Sequence, residues 1–334
     1  MYREGLSYDD VLIQPSFSKI NSRTEVDSSI QLKNGPKLST PVMSANMPSV
    51  TGLPMVLAMH DAGGIGILPR KFGRAGLSPS EYVTYVRMMK ESPVDHGFTV
   101  GLSETNSEIR NMYDSAVDIG AYPILTVDLA RGDSQVMVDR VSHIRKLLGP
   151  GPCIMAGNVA TRRGARQLAK VGADIIKVGV GPGRACTTRL VSGVGVPQLT
   201  AIEQIAFSFY EHGLDASIVA DGGLKHPGDL AKAIIAGADA VMVGGMFARC
   251  EESAGDGHYR GSSTYTSERV HEGVQMEVQQ DTNVLEVLTE FDGGLRSAMS
   301  YCNARTVRDL RINGSFVRQT VAGLIESGPR FNHG

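Results

Sequence analysis

Eight short apolar runs recur from residue 41 onward at near-uniform spacing, and no other feature of this chain constrains its fold as tightly. They occupy residues 41–45, 64–68, 96–101, 122–128, 153–158, 175–180, 217–221 and 240–244. Each has the length and the nearly unbroken apolar character of a strand buried on both faces. The segments 79–91, 134–148, 161–171, 200–212 and 227–236 between them carry apolar residues at i, i+3, i+4 spacing. Ser78 and Thr200 stand where N-caps belong, and Pro227 suits a first helical position. Gly172-Ala173-Asp174 and Gly237-Ala238-Asp239 read as matching helix-to-strand turns.

Strands alternating with helices in this way predict an α/β fold, a (β/α)8 TIM barrel. A doubly wound sheet would show the same alternation, but eight evenly spaced units favour closure. The 334 residues accommodate one such barrel of about 250 residues or more. We therefore expect a single domain over residues 1–334. Residues 1–40 hold few core segments and read as an N-terminal extension closing the bottom of the barrel. The rhythm breaks over about 247–282, a long polar stretch where a short loop would suffice, and this predicts a flap over the active site. Periodicity returns at 284–302 as the last barrel helix. Beyond Arg311 there is little pattern.

In such barrels chemistry gathers at the C-terminal ends of the strands. Those ends carry Ser44-Ala45-Asn46, Asp128, Asn158, Asp221-Gly222-Gly223 and Gly244-Gly245-Met246. The sixth opens into Val178-Gly179-Val180-Gly181-Pro182-Gly183-Arg184-Ala185-Cys186-Thr187-Thr188-Arg189. A cysteine held among main-chain N–H groups is set up as a thiolate nucleophile. The same turn would equally suit a small apolar residue without chemistry. Loops after strands seven and eight commonly bind phosphate through N–H groups, and Gly222-Gly223 and Gly244-Gly245 stand there. Asp221 can accept hydrogen bonds from ribose hydroxyls, or cap the next helix. No G-x-G-x-x-G follows the first strand, so a Rossmann cofactor site has no support.

Four scattered cysteines (Cys153, Cys186, Cys250 and Cys302) show no metal-like spacing and suit a reducing, cytoplasmic setting. A net charge of −2 gives no reason to expect nucleic acid or an anionic membrane as partner. No apolar run approaches about 18 residues. The residues alone thus predict a phosphorylated small molecule beside a cysteine under a lid, and leave the reaction open.

The run from Gly181 to Arg189, followed by Gly193-Val194-Gly195-Val196-Pro197-Gln198, strongly resembles the IMP dehydrogenase/GMP reductase family. The likeness extends through Tyr8-Asp9-Asp10-Val11-Leu12, Ser22-Arg23-Thr24-Glu25-Val26, Met155-Ala156-Gly157-Asn158-Val159 and Ala220-Asp221-Gly222-Gly223. It implies a homotetrameric barrel in which Cys186 bonds covalently to C2 of a purine nucleotide, GMP or IMP. Dehydrogenases of the family usually insert regulatory domains after the second strand, and residues 69–79 leave no room for them. Dehydrogenases also place an Arg-Tyr pair in the flap, whereas this chain has Arg269-Val270, with Tyr259-Arg260 in the other order. His271-Glu272-Gly273 and Gly293-Gly294-Leu295-Arg296-Ser297-Ala298 resemble the reductase versions. A carboxylate at Glu272 can accept and return a proton while ammonia departs.

The resemblance therefore implies an NADPH-dependent GMP reductase, with a compact NAD⁺-dependent IMP dehydrogenase, or a reductase acting on a variant guanine nucleotide, as the alternatives. It implies Cys186, Thr188 and Glu272 as catalytic residues. Asp221 would hold the ribose, Gly222, Gly223, Gly244 and Gly245 the phosphate, and Ser262 and Ser263 the base. Asp128, Asn158 and Lys177 would lie at the nicotinamide, and Arg131 would favour NADPH. Backbone carbonyls of Gly181, Gly183 and Cys186 would coordinate K⁺. Arg184 departs from a family serine that touches the phosphate; a guanidinium there would bind that phosphate or admit another anion. Leu129-Ala130-Arg131-Gly132 and Asn46-Met47-Pro48 also depart from the family pattern.

Overall fold

Along each of the eight apolar runs alternate side chains face opposite ways, and both ways are buried. In the computed structural model, which describes residues 4–71, 75–261 and 272–328, the runs are eight strands. They are β1 (Val42–Ser44), β2 (Ile65–Leu68), β3 (Gly97–Val100), β4 (Ile124–Asp128), β5 (Cys153–Val159), β6 (Ile175–Val178), β7 (Ser217–Asp221) and β8 (Ala240–Val243). A helix follows each: α1 (Leu53–Asp61), α2 (Pro79–Met88), α3 (Asn106–Asp118), α4 (Gln135–Leu148), α5 (Arg162–Lys170), α6 (Gln198–Glu211), α7 (Gly228–Ala236) and α8 (Val284–Tyr301). All neighbours pair in parallel, and β8 closes the barrel on β1 with Val241 opposite Val42. This is the (β/α)8 barrel that the alternation predicts.

Met43, Ile65, Ile124, Met155, Ile175 and Val219 point inward as one cluster. The alternate residues Val42, Leu125, Ile154, Ile176 and Val241 meet Val56, Ile109, Val141, Leu168 and Leu230 of the helices in the outer layer. Burial on both faces is why the strands read as apolar throughout. A hairpin of Ile30–Gln31 and Lys37–Leu38 inserts Leu32 and Leu38 beneath the inner cluster, at the N-terminal mouth. Val11–Ile13 pairs antiparallel with Phe316–Arg318, which orders part of a tail that shows no periodicity.

Two helices, α1 and α3, lie outside the segments expected to be helical. Helix α1 reads Leu-Pro-Met-Val-Leu-Ala-Met-His-Asp, too uniformly apolar to show a face, and it lacks a side-chain N-cap. Helix α3 is polar on average but buries Ile109, Met112 and Ala116 along one face, and its start is marked by a capping box in which Thr105 and Glu108 bond reciprocally. Helix α6 begins at Gln198, ahead of the expected Thr200, whose hydroxyl accepts the Leu6 N–H at 2.8 Å. Pro227 caps α7 from outside. Among the described residues no helix is long and apolar enough to cross a membrane.

Candidate active site

Period two carries the inward face of the strands up to their C-terminal ends, where polar groups replace the aliphatic ones. Asp128 shares the face of Ile124, Lys177 that of Ile175, and Asp221 that of Val219. The Lys177 Nζ lies 3.2 Å from Asp221 Oδ2, 3.4 Å from Asp128 Oδ2 and 3.3 Å from Asn46 Oδ1. Asn46 Nδ2 donates to the same Asp128 oxygen at 2.6 Å. Burial pushes the ammonium pKa down, but the two carboxylates outweigh it and hold the pKa above the ordinary lysine value. Gly157 makes this possible: a Cβ there would lie 2.4 Å from the Lys177 carbonyl oxygen.

Just beyond Gly157 the β5–β6 ladder shifts register, a common device beside active sites. Asn158 Nδ2 there donates to Asp221 Oδ2 at 2.8 Å and to the Gly179 carbonyl at 2.9 Å. Gln198 braces the same place, its amide donating to the Val178 carbonyl at 2.8 Å and the Asp221 carbonyl at 3.3 Å. Arg131 is exposed on the β4–α4 loop, next to Gly132, whose missing side chain lets it pack on the Asn158 carbonyl.

From β6 the chain enters the glycine turn. The Cys186 N–H donates to the Gly183 carbonyl at 3.0 Å, and its thiol donates to Thr188 Oγ1 at 3.2 Å. Arg189 pins the turn by donating to the carbonyls of Val180 and Val196. Cys186 is partly exposed, while Cys153, Cys250 and Cys302 are buried. Burial raises the thiol pKa at all three, and with help from Glu252 lifts Cys250 to about 12. Only Cys186 therefore combines access with a hydrogen-bonding partner suited to nucleophilic work. The Gly181 and Cys186 carbonyls accept no main-chain hydrogen bond among the described residues. They are oxygen donors suited to a hard monovalent cation.

Gly222 and Gly223 both take positive φ, +86° and +87°. They interlock with the cysteine turn: a Cβ on Gly222 would meet Gly183 at 3.2 Å, and one on Gly223 would meet Pro182 at 3.2 Å and the Tyr8 ring at 3.5 Å. Arg184 reaches over Gly245, its Cδ 3.5 Å from where a Cβ would stand. Tyr259, from the strand His258–Arg260, brings its hydroxyl against Gly244. Burial, then Asp221, raise the Tyr259 pKa, with Arg184 opposing them. The phenol stays neutral. A cation, a phenol and four glycines thus converge beside Cys186.

The strand His258–Arg260 pairs antiparallel with Gln275–Glu277, and the residues just before Gln275 dock on the cysteine turn through their main chain. Thr187 N–H donates to the Glu272 carbonyl at 2.9 Å, and Val274 N–H to the Ala185 carbonyl at 3.0 Å. Among the described residues no hydrogen bond joins the Glu272 carboxylate to Thr188. Ser262, Ser263 and Arg269-Val270 lie outside the described residues. Asn46, Tyr8, Gln198 and Tyr259 have no role assigned from sequence, although each stands in a stretch noted there: Asn46 at the end of the first apolar run, Tyr8 in Tyr8–Leu12, Gln198 after the cysteine loop and Tyr259 in the Tyr259-Arg260 pair.

A family model described as "IMP dehydrogenase / GMP reductase domain" matches residues 5–269 and 257–330. The chain is 40% identical over 263 residues to an Inosine-5'-monophosphate dehydrogenase of Chlorobaculum tepidum, covering 70% of this chain and 52% of that protein. It is 31% identical to the Inosine-5'-monophosphate dehydrogenase of Borreliella burgdorferi, covering 98% and 97% of the two chains. The protein of that name from Nitrosopumilus maritimus is 28% identical, with 98% of each covered. The matched part thus spans about half the length of the Chlorobaculum tepidum protein.

These names overturn the expectation of an NADPH-dependent GMP reductase, and with it the ground for NADPH. The physical reason lies in the residues that carried that expectation. Gly293 and Gly294 belong to α8, where a Cβ on Gly294 would meet Pro227 Cβ at 2.8 Å, so that segment reports helix packing. Glu272 meets the cysteine turn through its carbonyl, a contact that any residue type can make.

Proposed function

The chain belongs to the IMP dehydrogenase / GMP reductase family, and on that premise we propose that it oxidises IMP to XMP through a covalent bond to Cys186. The observation that carries this reading is the cysteine turn: an accessible thiol bonded to Thr188 and interlocked with the glycine loops of β7 and β8.

In this reading the IMP phosphate lies on the N–H groups of Gly222, Gly223, Gly244 and Gly245, with Arg184 supplying positive charge. Asp221 takes the ribose hydroxyls through Oδ1, since Oδ2 is engaged by Asn158 and Lys177. Ser262 and Ser263 contact the base. Asp128, Asn158, Lys177 and Arg131 serve the nicotinamide side, and NAD⁺, when bound, supplies the hydride acceptor. Carbonyls of the cysteine turn hold a monovalent cation that fixes the loop. The domain reading is one barrel over 1–334 with an extension at 1–40 and a flap at about 247–282, assembled as a homotetramer.

The thiol passes its proton through the Thr188 hydroxyl to solvent, and the thiolate attacks C2 of IMP. The C2 hydrogen leaves as hydride, and the purine stays on sulfur as a thioimidate. Water then adds to C2 and gives a proton to the Glu272 carboxylate. The C2–S bond breaks, releasing XMP and the thiolate.

Purified protein mixed with IMP and NAD⁺ should raise the absorbance of reduced nicotinamide, and Cys186→Ser should abolish the rise. An inactive wild type, or a Cys186→Ser variant as fast as wild type, overturns the reading.

A further inference from the structure

An ammonium has three N–H donors, and Lys177 spends all three inside the protein, on Asp128, Asp221 and Asn46. Its side chain is 3% exposed, whereas those of Asp128 and Asp221 are 25% and 21% exposed. In each aspartate Oδ2 faces the lysine, so Oδ1 is the oxygen left to meet ligands. A direct contact between Lys177 and a bound molecule would require one of the three hydrogen bonds to break.

We propose that Lys177 is a positioning residue that locks the Asp128 and Asp221 carboxylates to one another, so that the two halves of the site bind their ligands in a coupled way. This rests on the reading above only in naming the ligands. The strut itself is a property of the barrel, because it joins β4, β6 and β7 across the inner face. Asp221 holds the nucleotide side and Asp128 the nicotinamide side. Movement of either carboxylate toward its ligand is felt by the other through one shared cation.

The charge count gives the strut a signature. Two carboxylates and one ammonium leave one negative charge in a largely buried place. Without the ammonium, the two carboxylates would repel, and one would hold a proton well above the ordinary carboxylate range. The other groups facing this place do not titrate near neutrality. Asn46 and Asn158 are amides, and Tyr8 and Tyr259, which face Asp221, have their phenol pKa values raised by burial.

The sign follows from linkage. A carboxyl whose folded pKa is raised binds more protons folded than unfolded, so stability falls as pH climbs toward that pKa. The thermal midpoint of Lys177→Gln should therefore drop from about pH 5 to about pH 8, more steeply than that of wild type. Lys177→Gln with Asp128→Asn removes one cation and one anion, and should return the wild-type slope. This second variant leaves no uncompensated pair of carboxylates and should fold even where the single one does not. Calorimetry supplies the ligand arm: IMP should tighten NAD⁺ binding to wild type by on the order of tenfold, and by less than twofold in the double variant.

Equal pH slopes for wild type and Lys177→Gln would overturn the strut without touching the proposed reaction. If Lys177→Gln does not fold, a double variant that keeps the wild-type coupling overturns it. Wild type that binds neither ligand, with the slopes behaving as expected, overturns the reaction and leaves the strut standing.

Discussion

The main-chain N–H of Thr187 donates to the carbonyl oxygen of Glu272 over 2.9 Å. The segment that leads into Gln275–Glu277 is thereby tied by its backbone to the turn that carries Cys186. Glu272→Gln keeps this bond and removes only the carboxylate.

That variant should form the covalent purine adduct and then stall, because hydrolysis of the thioimidate lacks its proton acceptor. Turnover should fall about 10²–10⁴-fold, the usual effect of losing a general base. Rapid mixing should show a burst of reduced nicotinamide near one per active site, and intact-mass measurement should find the adduct on Cys186. An unchanged turnover number removes Glu272 from the mechanism.

A methyl group on Gly223 meets two obstacles. The residue sits at φ +87°, and the new Cβ would stand 3.2 Å from Pro182 Cβ and 3.5 Å from the Tyr8 ring. Left-handed backbone costs a non-glycine residue about 1–2 kcal/mol. Gly223→Ala should therefore raise the KM for IMP about 5–30-fold, at about 1.4 kcal/mol per tenfold. The cysteine turn should shift with it, so turnover should fall as well. Steady-state kinetics on both substrates reads this directly; an unchanged KM for IMP would place the phosphate elsewhere.

The barrel is legible because each strand carries its own record. Ile175 and Ile176 face opposite ways and are both buried, and no distant residue is needed to see that they form a strand. The cysteine turn is legible for a related reason, since its glycines and Cys186 are contiguous. The inner polar network is different. Lys177 lies 49 residues from Asp128 and 44 from Asp221, and Asn46 lies 82 from Asp128. Those contacts exist only once the barrel has closed, and no local pattern encodes closure. Glu272 differs in another way: its chemistry is assigned from residue type, while its observed tie to the site is through a carbonyl. Helix α3 carries two local signals, a capping box at Thr105 and Glu108 and an apolar stripe through Ile109, Met112 and Ala116, within an otherwise polar segment.

Tyr8 tests how the N-terminal segment supports the glycine loop. The ring is 2% exposed, and its hydroxyl has no hydrogen-bond partner among the described residues. An unpaired buried hydroxyl costs about 1–3 kcal/mol. Tyr8→Phe keeps the ring against Gly223 and removes that cost, so stability should stay level or rise. Urea unfolding measures it. A loss of more than about 1 kcal/mol, the net value of a typical hydrogen bond, would show that the hydroxyl is engaged.

His96 gives the fold a pH dependence whose sign can be worked out. The side chain is fully buried, with Nδ1 2.9 Å from the Val94 carbonyl and Nε2 2.8 Å from the Tyr82 hydroxyl. A carbonyl can only accept, so Nδ1 carries the proton and Nε2 accepts from Tyr82. That pairing suits the neutral ring. Burial lowers the His96 pKa below its ordinary 6.5, and the Val94 carbonyl and Asp95 only partly oppose this. Unfolded chains take up the proton near 6.5 while folded ones do not, so below that pH the unfolded state binds more protons and stability falls. The contribution is complete above about pH 7.5 and drains away toward about pH 5, on either side of the ordinary value. Thermal midpoints measured across that range should decline with acid in wild type and decline less in His96→Gln, whatever the absolute cost of the substitution. Parallel curves for the two proteins would mean that His96 does not set the acid limb.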